Sequence, residues 1–461
     1  MEKKEQIEIL KTVDKNMMDS IGNRKFKLDF FLVFFAILMM FIAIYSFNHF
    51  YPYIHEVYHQ RLNTFFGRAL SYIILTTLVF QIVFLIYIVY LYLKYKPISS
   101  VSDEELPTCT IIVPAYNEGK LVYSTLLSIA ASNYPKDKLE IWAIDDGSKD
   151  NTWYWINKAN KELNHNLKIH QQPRNLGKRQ ALYKGFKEGK GEVFITIDSD
   201  SIVESDTVRN LVSPFVVDEN CGAVAGNVKV LNKKQAIIPK MLNVSFVFSF
   251  EFIRAAQSTL GFVLCTPGAL SAYRKEAVMN VLDRWINQKF AGEIATIGED
   301  RAMTNMILEQ SYNVLFQKNA NVLTNTPTQF ENLHKMFTRW ARSNVRETLM
   351  MNRFIFKNFR KNNKAGARFI YFNQWMKILM AIPLTLLMLY FILTYPTFYI
   401  ISALTGTFVF SSIQMLFFSK QYNFVESLWA YPYSIFYLFG LFWIAPFAIL
   451  TVKNGGWLTR Q

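Results

Sequence analysis

The stretch VFITIDSDSI, residues 193–202, contains the transition that decides the fold class. Its first five residues are apolar or β-branched and predict a buried strand. The strand stops at Asp198, Ser199 and Asp200. Asp and Ser are common turn residues, so the triplet alone favours an ordinary turn. The alternative is a cation site that holds a phosphorylated substrate, and the surrounding sequence has to decide between the two.

Strand and helix patterns alternate on both sides of this stretch. Short β-branched runs are separated by single segments in which apolar residues recur with helical spacing. This alternation predicts an α/β domain with a mostly parallel, doubly wound sheet. The predicted strands are residues 109–116, 139–146, 166–172, 192–198 and 221–231.

Polar clusters follow several of these strands. Sheets of this kind bind ligands at the carboxyl ends of their strands, so the clusters are predicted to meet at one edge. As a set they favour a site for a nucleotide diphosphate over a series of unrelated turns. The clusters are Asn117 with Glu118, Asp145 with Asp146, Gly177 with Lys178 and Arg179, and Asp198 with Asp200.

Two of these clusters have side chains that suit a nucleotide diphosphate. Asp145 and Asp146 end the second strand, and their carboxylates can accept hydrogen bonds from a base or a ribose. Lys178 and Arg179 open a predicted helix, where free backbone N–H groups and the positive end of the dipole favour phosphate. We therefore predict that all four residues bind the nucleotide diphosphate.

Asp198 and Asp200 suit a divalent cation. They are two residues apart in an extended segment, so both side chains are predicted to point to the same side. Carboxylates are ligands for hard cations, and the pair predicts a Mg²⁺ or Mn²⁺ site. Such an ion would bridge the diphosphate oxygens and stabilise the leaving group as a Lewis acid.

The composition adds a membrane domain. Hydrophobic residues make up 51% of the chain and aromatic residues 16%, which is high for a purely soluble protein. Residues 30–47 and 69–93 carry no charge, and each run is long enough to cross a bilayer. Three further apolar stretches close the chain, at about 376–394, 397–418 and 428–452.

Charge sets the predicted orientation. The leader before the first apolar run carries seven lysine and arginine residues, whereas the loop at 51–67 has only Arg61. The positive-inside rule therefore places the N-terminus in the cytoplasm. After two crossings the polar segment is cytoplasmic too. The formal net charge of +15 fits anionic lipid headgroups beside a membrane-bound domain, and no basic, aromatic-rich helix indicates a nucleic-acid partner.

These observations divide the chain into six predicted regions. The polar region is flanked by membrane segments on both sides. Amphipathic stretches at about 237–262 and 344–372 are predicted to dock the domain on the bilayer as interface helices, with ordinary core helices as the alternative. The regions are a cytoplasmic leader (1–27), two transmembrane helices (28–95), a cytoplasmic domain (96–345), an interface region (346–372), transmembrane or re-entrant segments (373–452) and a tail (453–461).

Three blocks in the second half of the chain carry a family resemblance. They are residues 250–278, with CTPG at 265–268, residues 282–308, with GEDR at 298–301, and residues 337–347, with an Arg-Trp pair. Together with the earlier Asp-x-Asp, these blocks resemble the processive membrane glycosyltransferases, in particular hyaluronan synthases and nodulation-type chitin-oligosaccharide synthases. The resemblance implies a GT-A (Rossmann-like) nucleotide-sugar domain fused to an α-helical transmembrane domain.

The resemblance also implies roles for individual residues. Asp300 matches the catalytic base that deprotonates the acceptor hydroxyl in an inverting transfer, and a helix N-cap is the alternative for this motif. Arg301 beside it is assigned to the acceptor site. Arg339 and Trp340 match a Gln-x-x-Arg-Trp motif, whose arginine suits the diphosphate and whose tryptophan suits a sugar face. The motif's glutamine position is Met336 here.

The CTPG loop matches the segment that lines the acceptor site in this family. Its four residues are therefore candidate acceptor contacts. Inverting transfer needs no covalent intermediate, so the cysteine is predicted to be a wall residue and not a nucleophile. The residues are Cys265, Thr266, Pro267 and Gly268.

The C-terminal WLTR resembles the Trp-Gly-Thr-Arg gating motif of hyaluronan synthases, with Leu458 in place of glycine. The resemblance implies that Trp457, Thr459 and Arg460 fold over the bound nucleotide. Five full crossings from a cytoplasmic N-terminus would leave this tail outside. We therefore predict that one late segment, 428–452, is re-entrant or interfacial.

The predicted protein is a multi-pass enzyme of the plasma or inner membrane. It polymerises UDP-sugars, UDP-GlcNAc with or without UDP-GlcA, into a β-linked polysaccharide such as hyaluronan and translocates the chain. The alternatives are a chitin or poly-GlcNAc synthase, a nonprocessive polyprenyl-phosphate glycosyltransferase, and a transporter with an inactive domain. Its predicted partners are UDP-sugars, the growing polysaccharide and the lipid bilayer.

Overall fold

A computed structural model describes residues 24–455 of the chain. Within these residues the polar segment folds around an eight-stranded mixed sheet of order β3-β2-β1-β4-β7-β6-β10-β5. The predicted leader up to residue 23 and the WLTR tail lie outside the described residues. The strands are β1 (Cys109–Ala115), β2 (Leu139–Asp145), β3 (Leu167–Gln171), β4 (Val193–Ile197), β5 (Ser201–Val203), β6 (Cys221–Val230), β7 (Leu270–Arg274) and β10 (Asn313–Thr324).

The five strands predicted from the alternating pattern are all present in this sheet. β1 pairs in parallel with both β2 and β4, and β2 pairs in parallel with β3. The chain therefore reverses its direction of winding at β1 and β4, the kind of switch point where ligands bind in open α/β sheets. Because β4 consists entirely of buried residues, its pattern was the clearest of the set.

Two strands, β5 and β7, are antiparallel to the strands they pair with. β7 inserts antiparallel between β4 and β6, and β5 pairs antiparallel with β10. The Asp198–Asp200 triplet is thus the turn between β4 and β5, closed by the Ser201 N–H donating to the Asp198 carbonyl at 3.1 Å. The turn interpretation is confirmed for its backbone, and the Asp198 side chain forms an ion pair with Lys178.

Helices cover the sheet, and a two-stranded hairpin lies beside it. Between the sheet and the membrane segments, a π-helix (Phe248–Arg254) continues α8. The helices of this region are α4 (Leu121–Ala130), α5 (Thr152–Glu162), α6 (Lys178–Glu188), α7 (Thr207–Val217), α8 (Ile237–Val247), α9 (Ala255–Thr259), α10 (Lys275–Met279), α11 (Leu282–Ile286), α12 (Glu299–Glu309) and α13 (Phe330–Met351), and the hairpin is β8 (Lys289–Phe290) with β9 (Glu293–Ile294).

Among residues 24–455, four helices are long and apolar enough to cross a membrane. A fifth crossing is possible where α17 and α18 form a pair bent by 46° at residues 441–443. This broken pair occupies the segment for which the sequence predicts a re-entrant or interfacial structure. The membrane-region helices are α1 (Arg24–His49), α2 (Tyr51–Leu62), α3 (Phe65–Lys94), α14 (Lys364–Thr394), α15 (Pro396–Gln421), α16 (Phe424–Ser427), α17 (Ala430–Gly440) and α18 (Ile444–Leu450).

The two amphipathic segments differ from simple surface helices. α8 buries most of its apolar side chains at the junction between β6 and the membrane helices. In the second segment, α13 continues through the predicted boundary at residue 345, and α14 begins at Lys364 after Asn363, whose φ is +57°. Amphipathic spacing indicates a helix face and does not fix helix ends, which explains the displaced boundary.

The sheet and the membrane helices share one hydrophobic core. Buried residues of α3, Ile88 and Leu91, belong to the same packed cluster as Ile111 of β1 and Trp429 before α17. Polar contacts reinforce the junction: Lys240 of α8 pairs with Asp29 of α1. The catalytic-region edge is therefore held in a fixed position relative to the membrane bundle.

Candidate active site

Hydrogen bonds link the loops that follow β1 and β2. The Asn117 N–H donates to Ser148 Oγ at 2.9 Å, and Asn117 Oδ1 accepts from the Lys149 N–H at 2.9 Å. Asn117 has a φ of +53°, a conformation that asparagine tolerates better than most residues. The predicted meeting of polar clusters at one sheet edge is thus present for these two loops.

Asp145 and Asp146 are buried and bonded within the chain. Asp145 accepts from the Ser148 N–H at 3.1 Å and from Gln171 Nε2 at 2.9 Å. Asp146 accepts from the backbone N–H groups of Leu176 at 2.8 Å and Gly177 at 2.9 Å. The pair therefore holds the loop that leads into α6, and nucleotide contacts by these carboxylates stay a prediction.

The pKa of Asp146 is higher than that of an ordinary aspartate. Burial raises its pKa to about 6, and the neighbouring charge of Asp145 adds to the rise, whereas the N–H groups of Leu176 and Gly177 oppose it. A carboxylate fixed by two backbone donors keeps the start of α6 in place. This positions Lys178, the first residue of that helix.

Lys178 is the cation at the centre of the site. Its Nζ forms an ion pair with Asp198 and lies 3.5 Å from Glu299 Oε1. Burial disfavours the charged lysine, but the carboxylates of Asp198, Glu299 and Asp300 outweigh burial and raise its pKa. Lys178 thus joins the loop after β4 to the start of α12 and stays charged at neutral pH.

Arg179 is buried beside this cluster, and nucleotide binding by it stays a prediction. Its Nη1 donates to the Trp285 carbonyl at 2.9 Å and to Gln288 Oε1 at 3.2 Å, and its guanidinium lies over the Trp285 ring. Successive helix residues point about 100° apart, so Arg179 is turned inward relative to Lys178. Arg179 packs inside the domain, near enough to Glu299 and Asp300 for their charges to act on it.

Asp198 and Asp200 lie on either side of the β4–β5 turn. Asp200 Oδ1 accepts from Thr324 Oγ1 at 3.3 Å, and both carboxylates are half-buried. Within residues 24–455, no group of three or more His, Cys, Asp or Glu side chains could hold a metal. Two carboxylates still fit Mg²⁺ or Mn²⁺, because such ions commonly take one or two protein carboxylates and complete their shell with substrate phosphates and water.

Asp300 lies at the start of α12. Gly298 precedes this helix with a φ of +71°, and a Cβ there would come within 2.0 Å of Ser343 Oγ. Burial raises the pKa of Asp300, and Glu299 adds to the rise, while the cations Lys178 and Arg339 act in the opposite direction. A carboxyl with a raised pKa is a stronger base once it is ionised, as general-base catalysis requires.

In the Cys265–Gly268 loop, Cys265 lies beside the Asp300 carboxyl, whereas Thr266 and Pro267 point into the domain. Cys265 Sγ lies 3.7 Å from Asp300 Oδ2, whereas Thr266 Oγ1 bonds the Thr304 hydroxyl at 2.8 Å and the Tyr273 hydroxyl at 2.9 Å inside the domain. Pro267 is also buried. Burial, followed by the charge of Asp300, raises the pKa of Cys265 to about 12, so the thiol is not ionised at neutral pH.

Gly268 leaves the space that Lys178 needs. A Cβ at this position would lie 2.6 Å from Lys178 Nζ. We expect Gly268→Ala to push the ammonium away from Asp198 and to lower the rate of sugar transfer about tenfold. The free energy of unfolding should change by less than about 1 kcal/mol, because the displaced atom ends a flexible side chain. Initial rates and thermal unfolding measure the two effects, and Gly406→Ala, at a position with no atom within 4 Å and no positive φ, is the matched control.

α13 brings the Arg-Trp pair to the site. The guanidinium of Arg339 lies close enough to Asp300 to act against the rise in the pKa of that carboxyl. Trp340 is 43% exposed, and its ring lies 5.7 Å from that of Phe337 and 6.2 Å from that of Phe246. Met336 is buried in the core, so a methionine here packs and does not present a polar group to the site.

A buried polar network, which sequence patterns did not indicate, fixes α13 against α12. Glu347 is fully buried and accepts from Gln288 Nε2 at 3.0 Å and from Asn305 Nδ2 at 3.0 Å. Glu299 is a second residue that we did not assign from the sequence, although it adjoins Asp300 in the GEDR motif. The network ties α13, which carries the Arg-Trp pair, to α12, which carries Asp300. Trp457, Thr459 and Arg460 lie outside the described residues.

Comparison with known proteins supports a glycosyl-transfer site. Residues 110–282 match the family described as glycosyl transferase family 2. A hyaluronan synthase of Streptococcus pyogenes is 27% identical over 355 residues, which are 76% of this chain and 82% of that protein. An N-acetylglucosaminyltransferase of Neorhizobium galegae is 29% identical over 379 residues, 77% of this chain and 80% of that protein. These matches confirm the family resemblance found in the sequence.

A solved structure confirms the fold. The mannosyltransferase PcManGT from Pyrobaculum calidifontis, in complex with GDP-Man and Mn²⁺, aligns with a TM-score of 0.54 at 18% identity. The alignment covers 79% of this chain and 98% of that protein. The domain around the mixed sheet therefore has the GT-A fold.

Proposed function

Because this chain carries a glycosyl transferase family 2 domain and is related to hyaluronan synthases and N-acetylglucosaminyltransferases, we propose that it is a processive, inverting glycosyltransferase of the membrane. It polymerises UDP-sugars, GlcNAc with or without GlcA, into a β-linked polysaccharide and passes the product across the bilayer. One observation carries the proposal: Lys178, at the start of α6, pairs with Asp198 after β4 and lies 3.5 Å from Glu299, the neighbour of Asp300.

The chemistry follows from Asp300 and Lys178. Asp300 takes the proton of the acceptor hydroxyl as the oxygen attacks the anomeric carbon of the donor sugar. The bond from that carbon to the diphosphate oxygen breaks, and UDP leaves with the electron pair. Attack opposite the leaving group inverts the configuration at the anomeric carbon. Asp300 has to lie within hydrogen-bond reach of the acceptor, on the side away from the diphosphate.

Cationic groups stabilise the departing diphosphate. Lys178 supplies a permanent positive charge at the N-terminus of α6, and Arg339 offers the bidentate geometry that suits phosphate. Asp198 and Asp200 would hold Mg²⁺ or Mn²⁺, which supplies Lewis-acid stabilisation of the diphosphate charge. In the structure Lys178 is paired with Asp198.

The acceptor end lies beside Trp340 and the Cys265–Gly268 loop. The exposed indole ring of Trp340 suits the apolar face of a sugar, and the neutral thiol of Cys265 serves as a wall. The N-terminus and the catalytic domain (96–345) are on the cytoplasmic side of the plasma or inner membrane. The segment at 428–452 is re-entrant or interfacial, and the tail at 453–461 closes over the nucleotide.

A chitin-like synthase is the second candidate. The relative named N-acetylglucosaminyltransferase is as similar to this chain as the hyaluronan synthase is, over a comparable length. Such an enzyme would use UDP-GlcNAc alone, whereas a hyaluronan synthase uses UDP-GlcNAc and UDP-GlcA together.

Purified protein in lipid nanodiscs tests the proposal. UDP release and product length are measured with UDP-GlcNAc, with UDP-GlcA, and with both, in the presence of Mg²⁺ or Mn²⁺. We expect long polymer that remains bound to the enzyme during synthesis. Transfer of one sugar to a polyprenyl phosphate, with no polymer, would establish the nonprocessive alternative. If the protein releases UDP from none of the sugar nucleotides, the result would favour the alternative of a transporter with an inactive domain.

A further inference from the structure

The sequence HEVYH, residues 55–59, lies in α2, between the first two candidate membrane spans. A histidine, a glutamate and a second histidine at positions i, i+1 and i+4 of a helix form a pattern found in zinc sites, where both imidazoles bind one ion. The proposed sugar transfer uses none of these residues. The pattern points to a metal only if the two rings converge on one point.

The two imidazole rings do converge. His55 and His59 lie about one turn apart on the same side of α2. Their ring centroids are 4.2 Å apart, and their Nε2 atoms are 3.0 Å apart. Two metal–nitrogen bonds of about 2.0 Å, with an angle of roughly 90–109° between them, place the two nitrogens about 2.8–3.3 Å apart. The observed separation therefore suits two ligands of one ion.

A hydrogen bond between the rings is the ordinary explanation for this contact, and it is compatible with a metal site. One neutral ring donates its Nε2 proton and the other accepts it at Nε2. When a metal ion binds, the donor ring carries its proton on Nδ1 instead, so that both Nε2 lone pairs face the ion. The rings need to change a tautomer, and the helix keeps its conformation.

The histidine pair is open to solvent on a helix that is anchored by its other side. His55 and His59 are exposed, whereas Ile54 and Val57 are buried. Glu56 accepts a hydrogen bond from Gln60 Nε2 at 3.1 Å. Among residues 24–455, no third His, Cys, Asp or Glu joins the pair. An ion held there would have two protein ligands and would complete its coordination shell with water.

The pair lies far from the glycosyl-transfer site. α3 is 30 residues long, so its axis separates α2 from the start of the polar domain by about 45 Å. Because α3 is a candidate membrane span, α2 lies at the opposite face of the bilayer from that domain. The metals also differ in class, since imidazole suits Zn²⁺, Ni²⁺ and Cu²⁺, whereas carboxylates such as Asp198 and Asp200 suit Mg²⁺ and Mn²⁺.

We propose that His55 and His59 chelate one divalent transition-metal ion of the Zn²⁺, Ni²⁺ and Cu²⁺ class at the membrane face opposite the catalytic domain. The ion joins two consecutive turns of α2. This helix has only 12 residues, a length at which an isolated helix is marginal, so a chelated ion stabilises it. In the proposed orientation the site faces outward and binds metal from outside the cell.

Copper titration tests the site. Untagged full-length protein in phosphatidylcholine nanodiscs is held in excess Mg²⁺, which competes for the carboxylates of the catalytic domain. Cu²⁺ is then added, and its binding and its nitrogen ligands are followed by electron paramagnetic resonance. We expect one tightly bound Cu²⁺ per chain with two imidazole nitrogens. Ni²⁺ and Zn²⁺ should displace it only at higher concentration, and Mn²⁺ should not displace it.

Substitutions locate the ion. His55→Ala and His59→Ala should each weaken Cu²⁺ binding at least about tenfold and leave one imidazole nitrogen in the spectrum. His49→Ala is the matched control, because His49 is an exposed histidine in the last turn of α1. Alanine is a good helix former, so the variants should unfold at the wild-type temperature. A variant that unfolds earlier is replaced by His59→Gln.

Hydrogen exchange gives a second readout that does not depend on copper. Zn²⁺ should slow the exchange of backbone amides in residues 51–62 of the wild-type protein and leave it unchanged in His55→Ala. Two results would overturn the inference. One is a Cu²⁺ spectrum with a single imidazole nitrogen in the wild-type protein, and the other is an equal Cu²⁺ affinity in the wild type and in folded variants at His55 and His59.

Discussion

Asp300→Asn is expected to lower the rate of sugar transfer about 1,000-fold, within the range that a positioned general base supplies. Asparagine has nearly the same shape and can still accept from the Arg301 N–H, which donates to Asp300 Oδ1 at 2.7 Å. It cannot take the proton of the acceptor hydroxyl. The helix start and the fold should persist, so the lost rate reports on proton transfer. UDP release and polymer formation by purified protein give the measurement.

The pH profile separates a base from a structural carboxylate. Asp300 acts as a base only when it is ionised, and burial followed by the Glu299 charge raises its pKa. The value of kcat/KM should therefore rise with pH through an acidic limb above the ordinary range of an aspartate, and this limb should disappear in Asp300→Asn. Asp283→Asn, an exposed aspartate on α11, provides the control. A variant at Asp300 that polymerises at the normal rate would exclude this residue as the base.

Asp198→Asn is expected to lower the rate about 100-fold, equivalent to about 3 kcal/mol of transition-state stabilisation. The substitution removes the charge of one proposed cation ligand and the ion-pair partner of Lys178. Lys178 retains Glu299 at 3.5 Å, so the loop should keep its position. The loss should therefore appear mainly as weaker use of the divalent cation.

Titration with Mn²⁺ and Mg²⁺ checks this prediction. The concentration of metal that gives half-maximal UDP release should rise in Asp198→Asn, whereas Asp137→Asn, at an exposed turn before β2, should leave it unchanged. Chelation of metal should stop the wild-type reaction. An identical metal requirement in Asp198→Asn and wild type would show that this carboxylate does not hold the ion.

The polar residues at the sheet edge could be predicted from the sequence, because the local residue pattern and the sheet topology agree there. β-branched runs fixed five strands, and the carboxyl-end rule gathered their polar ends, so Lys178 and Asp198 were correctly expected to lie near each other. The roles of Asp300 and of the Arg-Trp pair were predicted from the family resemblance. The geometry then placed Lys178 next to Asp198, Glu299 and Gly268.

Other features depend on information that a local pattern does not contain. The direction of β7 follows from its long-range pairing with β4 and β6, and its short run of residues reads equally well in either direction. Arg179 points inward because of its angle on α6.

The packed cluster that unites Ile111 of the sheet with Leu91, Phe418 and Trp429 of the membrane region has a practical consequence. A fragment cut out as residues 96–345 would expose the apolar surface that these helices cover, and it would also lose the last turns of α13. Sheet and bundle should unfold as one cooperative unit. Detergents that disperse the bundle should inactivate the enzyme at the same concentration at which they melt the sheet.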